Sequence, residues 1–111
     1  TDVFNPNVVR ASQGALFSVP VAVAASSEVI EWCHQHDISV IGGYPGADAE
    51  LWETQMRGAT AVLVGAEDTG ISSAWDGVAT PVRIPMAGSA DSLNASVSAA
   101  ILLFEAVRQR R

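Results

Sequence analysis

Two stretches hold residues whose types and spacing could do chemistry. The first is residues 64–70, VGAEDTG, where two glycines bracket two acids directly after the apolar run Ala61-Val62-Leu63-Val64. Glycines in the turn that leaves a buried strand let the backbone approach a ligand closely, as in phosphate-binding loops. A phosphate cradle also wants free N–H groups and a basic side chain, and this turn offers Glu67 and Asp68 instead. The guest it suits is neutral or cationic and read by backbone hydrogen bonds; the alternative is a plain turn with solvated acids. The second stretch is residues 84–100, IPMAGSADSLNASVSAA, where a strand end passes through Pro85 and Gly88 into a polar cluster that opens a helix. Ser89, Asp91 and Ser92 are candidate caps. Asn94, Ser96 and Ser98 then fall in the first turns, beside Ala95, Ala99 and Ala100. Asn and Ser are mediocre helix formers. Their clustering fits polar groups aimed from a helix start at a ligand or a reacting hydroxyl. It equally fits a capped helix with a small-residue packing face.

The remaining reactive side chains form no recognisable constellation. His34 and His36 stand two apart on a probable helix end, so they face different ways, and no second ligand cluster joins them; no metal site is expected. Ser12 and Ser18 have no histidine at a recognisable spacing, which leaves a hydrolase triad unsupported. Trp32, Trp52 and Trp75 are scattered and read as packing residues.

The elements that must position the two stretches follow from periodicity. Asn5-Pro6-Asn7 starts a helix that runs toward Gly14. Residues 18–25, SVPVAVAA, are short, apolar and valine-rich and read as a buried strand. Ser26-Ser27-Glu28 opens a second helix with Val29, Ile30 and Cys33 on its inner face. Further strands are expected at 38–41, 60–64 and 81–84, with a loop at 42–46, a helical or irregular piece at 48–56 and a short helix at 72–77. The longest helix is expected over 92–110, with Leu93, Val97, Ala100, Ile101, Phe104 and Val107 on one face. Short apolar strands alternating with helices predict an α/β fold, a mainly parallel sheet with helices on both faces. Four strands make a thin sheet for that design.

Bulk properties narrow the function classes. The 111 residues suit one domain, and a 49% hydrophobic, 16% charged composition excludes a disordered chain. The net charge of −6 argues against this piece gripping nucleic acid by general electrostatics. Arg108, Arg110 and Arg111 crowd the end, so the rest is more acidic still. A single cysteine, Cys33, excludes an internal disulfide and fits a cytoplasmic setting. No apolar run approaches the ~18 residues of a membrane span.

In combination the motifs resemble the SpoU family of the SPOUT RNA methyltransferases. Residues 5–21, NPNVVRASQGALFSVPV, are similar to the family segment before its middle strands. Residues 62–72, VLVGAEDTGIS, resemble its second motif, and residues 84–110, IPMAGSADSLNASVSAAILLFEAVRQR, resemble its third along their whole length. The resemblance implies transfer of a methyl group from S-adenosylmethionine to a ribose 2′-oxygen in ribosomal or transfer RNA, ribosomal RNA being favoured. It implies a cytoplasmic homodimer, without metal or membrane, and a C-terminal trefoil knot, one of the rare exceptions to unknotted chains. It places the cofactor on Val64, Gly65, Ile84, Met86 and Leu93, and polar active-site roles on Glu67, Ser92 and Asn94. For Arg10 and Ser12 it implies contact with RNA. The competing expectation is a non-catalytic nucleotide- or S-adenosylmethionine-binding α/β module. The family's first motif, an Asn followed by an Arg, should stand before Thr1. The resemblance therefore implies that the 111 residues are part of a longer enzyme and, by themselves, nearly inactive.

Overall fold

Successive residues of a strand point to opposite faces, and in a parallel sheet both faces must be covered. That rule organises the molecule. The computed structural model describes residues 2–66, 68–86 and 94–111. Strands β1 (Ser39–Gly43), β2 (Thr60–Leu63) and β3 (Ala79–Val82) form one sheet in the order β2-β1-β3, and both pairings are parallel. On one face Ile41 and Val82 join Leu51, Met56 and Leu102, with Val62, Val64 and Ile84 packed around them. On the other, Val40 and Ala79 join Cys33 and Trp75, with Ala61 and Leu63 around them. Helix α3 (Ala95–Gln109) and the 3-10 turn Leu51–Glu53 cover the first face; helix α2 (Ser26–Gln35) and the 3-10 turn Ser73–Trp75 cover the second. No helix among the described residues is long and apolar enough to cross a membrane.

Local chemistry explains the element ends. Asn5 caps helix α1 (Pro6–Ala11) by accepting from the Asn7 N–H, and Pro6 fills a position whose N–H has no partner anyway. Glu28 reaches back to the Ala25 N–H at the start of α2, and Val29, Ile30 and Cys33 turn inward as expected. Ser72 caps the short turn at 73–75.

Four expectations need correction. Residues 18–25 form no strand: they run exposed, with Val23 83% accessible, after a 3-10 turn at Ala15–Phe17. Apolar composition is not enough for a strand. The backbone needs a ladder partner, Pro20 cannot donate, and the sheet among the described residues has three strands. The strand expected at 81–84 lies at 79–82, because β3 is defined by its register on β1, Val40 opposite Ala79 through Gly43 opposite Val82. Helix α3 starts at Ala95 and is capped by Asn94, so its start lies later than 92. Its buried residues are Leu102 and Glu105, and of the expected inner face Val97, Ala100, Phe104 and Val107 are exposed, Phe104 by 72%; Ile101 alone of the described members packs on the core. Leu93 lies outside the described residues.

The last turn of α3 is tied down by polar groups. Glu105, 3% exposed, accepts from Arg108 Nε at 2.6 Å and Nη2 at 2.9 Å and from Gln109 Nε2 at 3.0 Å. Gln109 also donates to the Thr54 carbonyl and accepts from the Met56 N–H, each at 2.6 Å. Arg110 donates to the Gly58 carbonyl at 2.7 Å. The loop at 54–58 is thereby fixed to α3, and Met56 is fully buried beneath it. The hydrogen-bonded Arg108 guanidinium holds the Glu105 carboxyl below the ordinary glutamate value, against the upward push of burial. A depressed folded-state value contributes stability that is complete above the unfolded value of about 4.3 and lost as pH falls through the folded one. The melting temperature should therefore fall on acidification below about pH 4, and Glu105→Gln should flatten that limb. Thermal melts across this range check it; identical acid limbs in the two proteins would count against it.

Candidate cofactor and active site

Parallel strands deliver all their carboxyl ends to one edge of the sheet, where ligands of open α/β sheets bind. Here that edge collects the segment after β2, the segment after β1 and residues 84–86 after β3. Val64 and Ile84 leave strands separated by β1, yet both pack on the cluster beneath α3. The fold thus brings together two residues 20 positions apart that were assigned to one site on sequence grounds. Met86 and Pro85 continue from Ile84, half-buried.

The turn after β2 closes tightly on itself. The Gly70 N–H donates to the Ala66 carbonyl at 2.8 Å, Ala66 and Gly70 form an antiparallel bridge, and Gly70 takes φ +69°. Asp68 uses a carboxylate oxygen on the adjacent Thr69 N–H at 2.9 Å. A Cβ on Gly65 would stand 2.2 Å from the Gly70 carbonyl carbon and 2.3 Å from the Ile71 nitrogen. The bare Cα of Gly65 is therefore needed first by the loop's own closure, whereas the expectation had reserved it for close approach of a guest. The Gly65 backbone keeps its place beside Val64 at the strand end.

Asn94 stands where the chain enters α3. Its side-chain oxygen accepts from the Ser96 N–H at 2.9 Å and from the Ser96 hydroxyl, so this carbonyl fixes the helix start. Glu67, Ser92 and Leu93 lie outside the described residues. Arg10 is exposed in the last turn of α1, a helix with no buried residue, and the Ser12 hydroxyl donates to the Val9 carbonyl at 2.7 Å. His36 directs Nδ1 to the Trp32 carbonyl at 2.8 Å. Among the described residues no group of His, Cys, Asp or Glu is arranged to hold a metal ion.

Sequence reasoning missed Tyr44 and Arg83. The Tyr44 N–H extends the β1–β3 ladder by donating to the Val82 carbonyl at 2.9 Å. Its ring folds back over Gly42, whose Cβ would stand 2.7 Å from Tyr44 Cε1. Burial, and then the Asp76 charge, push the phenol above its usual value. Arg83 pairs with Glu50 at 3.5 Å directly before Ile84. The available signal was a lone cation at the end of an apolar strand.

Gly65→Ala should destabilise the protein by about 1–3 kcal/mol, since the loop backbone must move to admit the methyl group. Urea denaturation measures it, and a change below about 0.5 kcal/mol would show that the closure yields freely.

Comparison with known proteins places this geometry. Residues 1–104 match the model of the SpoU rRNA Methylase family. The chain is 40% identical, over 98% of its length and 40% of the relative's, to the 23S rRNA (uridine(2479)-2′-O)-methyltransferase of Streptomyces viridochromogenes. It is 36% identical to the 23S rRNA (guanosine-2′-O-)-methyltransferase RlmB of Escherichia coli, over 96% of its length and 44% of that enzyme's. It superposes with TM-score 0.89 and 48% identity on the crystal structure of an RNA 2′-O ribose methyltransferase, covering 99% of this chain and 43% of that one. The match to the SpoU methyltransferase AviRb of Streptomyces viridochromogenes, crystallised with AdoMet, has TM-score 0.90 and 40% identity, covering 99% of this chain and 46% of AviRb. The chain thus spans less than half the length of these relatives. With the family model matched along nearly all of its residues and the strand ends arranged as described, the chain belongs to the SpoU rRNA methylase family.

Proposed function

We propose that the chain is the cofactor-binding and catalytic part of an S-adenosylmethionine-dependent methyltransferase that modifies a ribose 2′-oxygen of ribosomal RNA. The observation that supports this is the packing of Val64 and Ile84, from the ends of β2 and β3, on one core cluster, in a chain 40% identical to a 23S rRNA 2′-O-methyltransferase. The donor set fits a sulfonium nucleoside. The chain contains no lysine, and Arg83, the cation nearest residues 84–86 in sequence, is engaged with the Ala47 carbonyl and Glu50. Half-buried Val64, Ile84 and Met86 offer apolar walls, and the backbone at 64–65 and 84–86 offers polar groups for an adenosine. Leu93 completes the proposed cofactor set.

S-adenosylmethionine, when bound, supplies an electrophilic methyl group on a cationic sulfur. The protein's own task is then positioning: the ribose hydroxyl must lie in line with the methyl, and its proton must be accepted. Glu67 is the acid assigned to that proton, Ser92 and Asn94 the groups that orient the hydroxyl. Asn94 suits the role because its capping bonds hold it at a helix start. Arg10 and Ser12 are assigned to the RNA, and the cytoplasm to the reaction. We also assign a trefoil knot to the C-terminal part of the chain, which a crystal structure of the native polypeptide tests.

Isothermal titration should give S-adenosylmethionine binding and none with ATP or FMN. In methyl-transfer assays of the native polypeptide on ribosomal RNA, Asn94→Ala and Glu67→Ala should each lower kcat at least about 100-fold. Failure of the native polypeptide to bind S-adenosylmethionine would sink the reading.

The same helix supports a homodimer. Val97, Leu103, Phe104 and Val107 expose an apolar stripe on α3 whose opposite side already fills the core. We assign the stripe to a second copy of the chain. Phe104→Glu should shift the sedimentation coefficient from dimer to monomer; an unshifted dimer, or a monomeric parent, would refute the assignment.

A further inference from the structure

After Tyr44 the chain leaves β1, turns through Pro45 and Gly46, and comes back alongside β3. The turn is closed by the Ala47 N–H on the Tyr44 carbonyl at 3.1 Å. From there three alternate residues converge on Arg83. Its N–H donates to the Ala49 carbonyl at 2.8 Å, and its carbonyl accepts from the Leu51 N–H at 2.9 Å. These two bonds make a parallel bridge between Glu50 and Arg83. The side chain adds Nε to the Ala47 carbonyl at 3.1 Å and Nη2 to the Glu50 carboxylate at 3.5 Å. Arg83 is thus held through its N–H, its carbonyl and its guanidinium by one returning segment.

That segment has little else to hold it. Pro45, Gly46, Asp48 and Ala49 are exposed, and only at Leu51, fully buried beside Val82 and Leu102, does it reach the core. Between Tyr44 and Leu51 the guanidinium spans the segment, gripping it at Ala47 and again at Glu50. The residue immediately after this clamp is Ile84. Any slip of Arg83 along β3 displaces residues 84–86 by the same amount.

We infer that Arg83 is a positioning residue of the cofactor site, locking the carboxyl end of β3 through the returning segment 47–51 so that residues 84–86 keep their place. The inference rests on the proposed assignment of Ile84 and Met86 to S-adenosylmethionine. The guanidinium acts through the backbone it fixes. Its ion pair with Glu50 is about one-third exposed and contributes little by itself. The bond to the Ala47 carbonyl, charge-assisted and directional, carries more.

The test uses the native polypeptide and two readouts. In Arg83→Ala the dissociation constant for S-adenosylmethionine should rise roughly tenfold, as for loss of one charge-assisted bond. At saturating cofactor kcat should stay within about twofold. In ligand-free protein the Ile84 and Met86 amides should exchange faster with deuterium. Arg83→Lys, which can keep the Glu50 pair but not the Nε bond to the Ala47 carbonyl, should fall between. Glu50→Gln should weaken binding less, and should add nothing in the Arg83→Ala background, because the two share one contact. Equal affinity and equal amide exchange in parent, Arg83→Ala and Arg83→Lys would overturn the inference. A parent that binds no S-adenosylmethionine while the amides still respond to Arg83→Ala would instead fell the cofactor assignment, and the inference with it.

Discussion

Val40 and Ile41 are neighbours on β1, and they belong to different cores. Val40 packs with Cys33, Trp75 and Ala79; Ile41 packs with Leu51, Met56, Val82 and Leu102. The central strand must be covered on both faces, and the rest of the structure depends on that requirement. It sets α2 on one side and α3 on the other. It keeps the strands parallel, since each connection has to cross a face before returning. Parallel strands in turn put the three segments that follow them at one edge. A site assembled from distant parts of the sequence is a consequence of how this sheet is buried.

The edge is built economically, and its glycines serve the backbone before they serve a guest. Gly65 admits the Gly70-Ile71 backbone, and Gly42 admits the Tyr44 ring. Polar side chains likewise hold the frame. Asn94 caps α3, Arg83 grips the returning segment, and Gln109 with Glu105 ties the far end of α3 to residues 54–56. Of these, Glu105 is buried, and its carboxylate is satisfied by Arg108 and Gln109, so it helps specify one arrangement without an unpaired burden. Both ends of α3 are therefore fixed, the first by the Asn94 cap and the second by the bonds of Gln109 to Thr54 and Met56.

Periodicity was a sound guide wherever an element is covered by neighbours inside this chain. The helix at 26–35 with its inner Val29, Ile30 and Cys33 and the strand at 60–63 were both legible. It misled where an apolar run has no partner among the described residues. Residues 18–25 carry the composition of a buried strand and lie exposed. The apolar stripe of α3 is real, but the helix turns it outward and buries Leu102 and Glu105. Hydrophobic spacing reports that a face is to be covered; it carries no information about which chain covers it.

The sequence by itself determined the alternation of apolar strands and helices, hence the α/β class, and the chemical character of the two motifs, hence the family. Those are properties of local residue types and spacing, and they survive without coordinates. Tertiary structure alone decided that Val64 and Ile84 share one packed cluster, that Gly65 is reserved for loop closure, and that Arg83 is clamped from residues 47–51. Each of these depends on the register of parallel strands and on the path of a returning loop. Register is a cooperative outcome of burying both faces at once, and no single stretch of sequence encodes it.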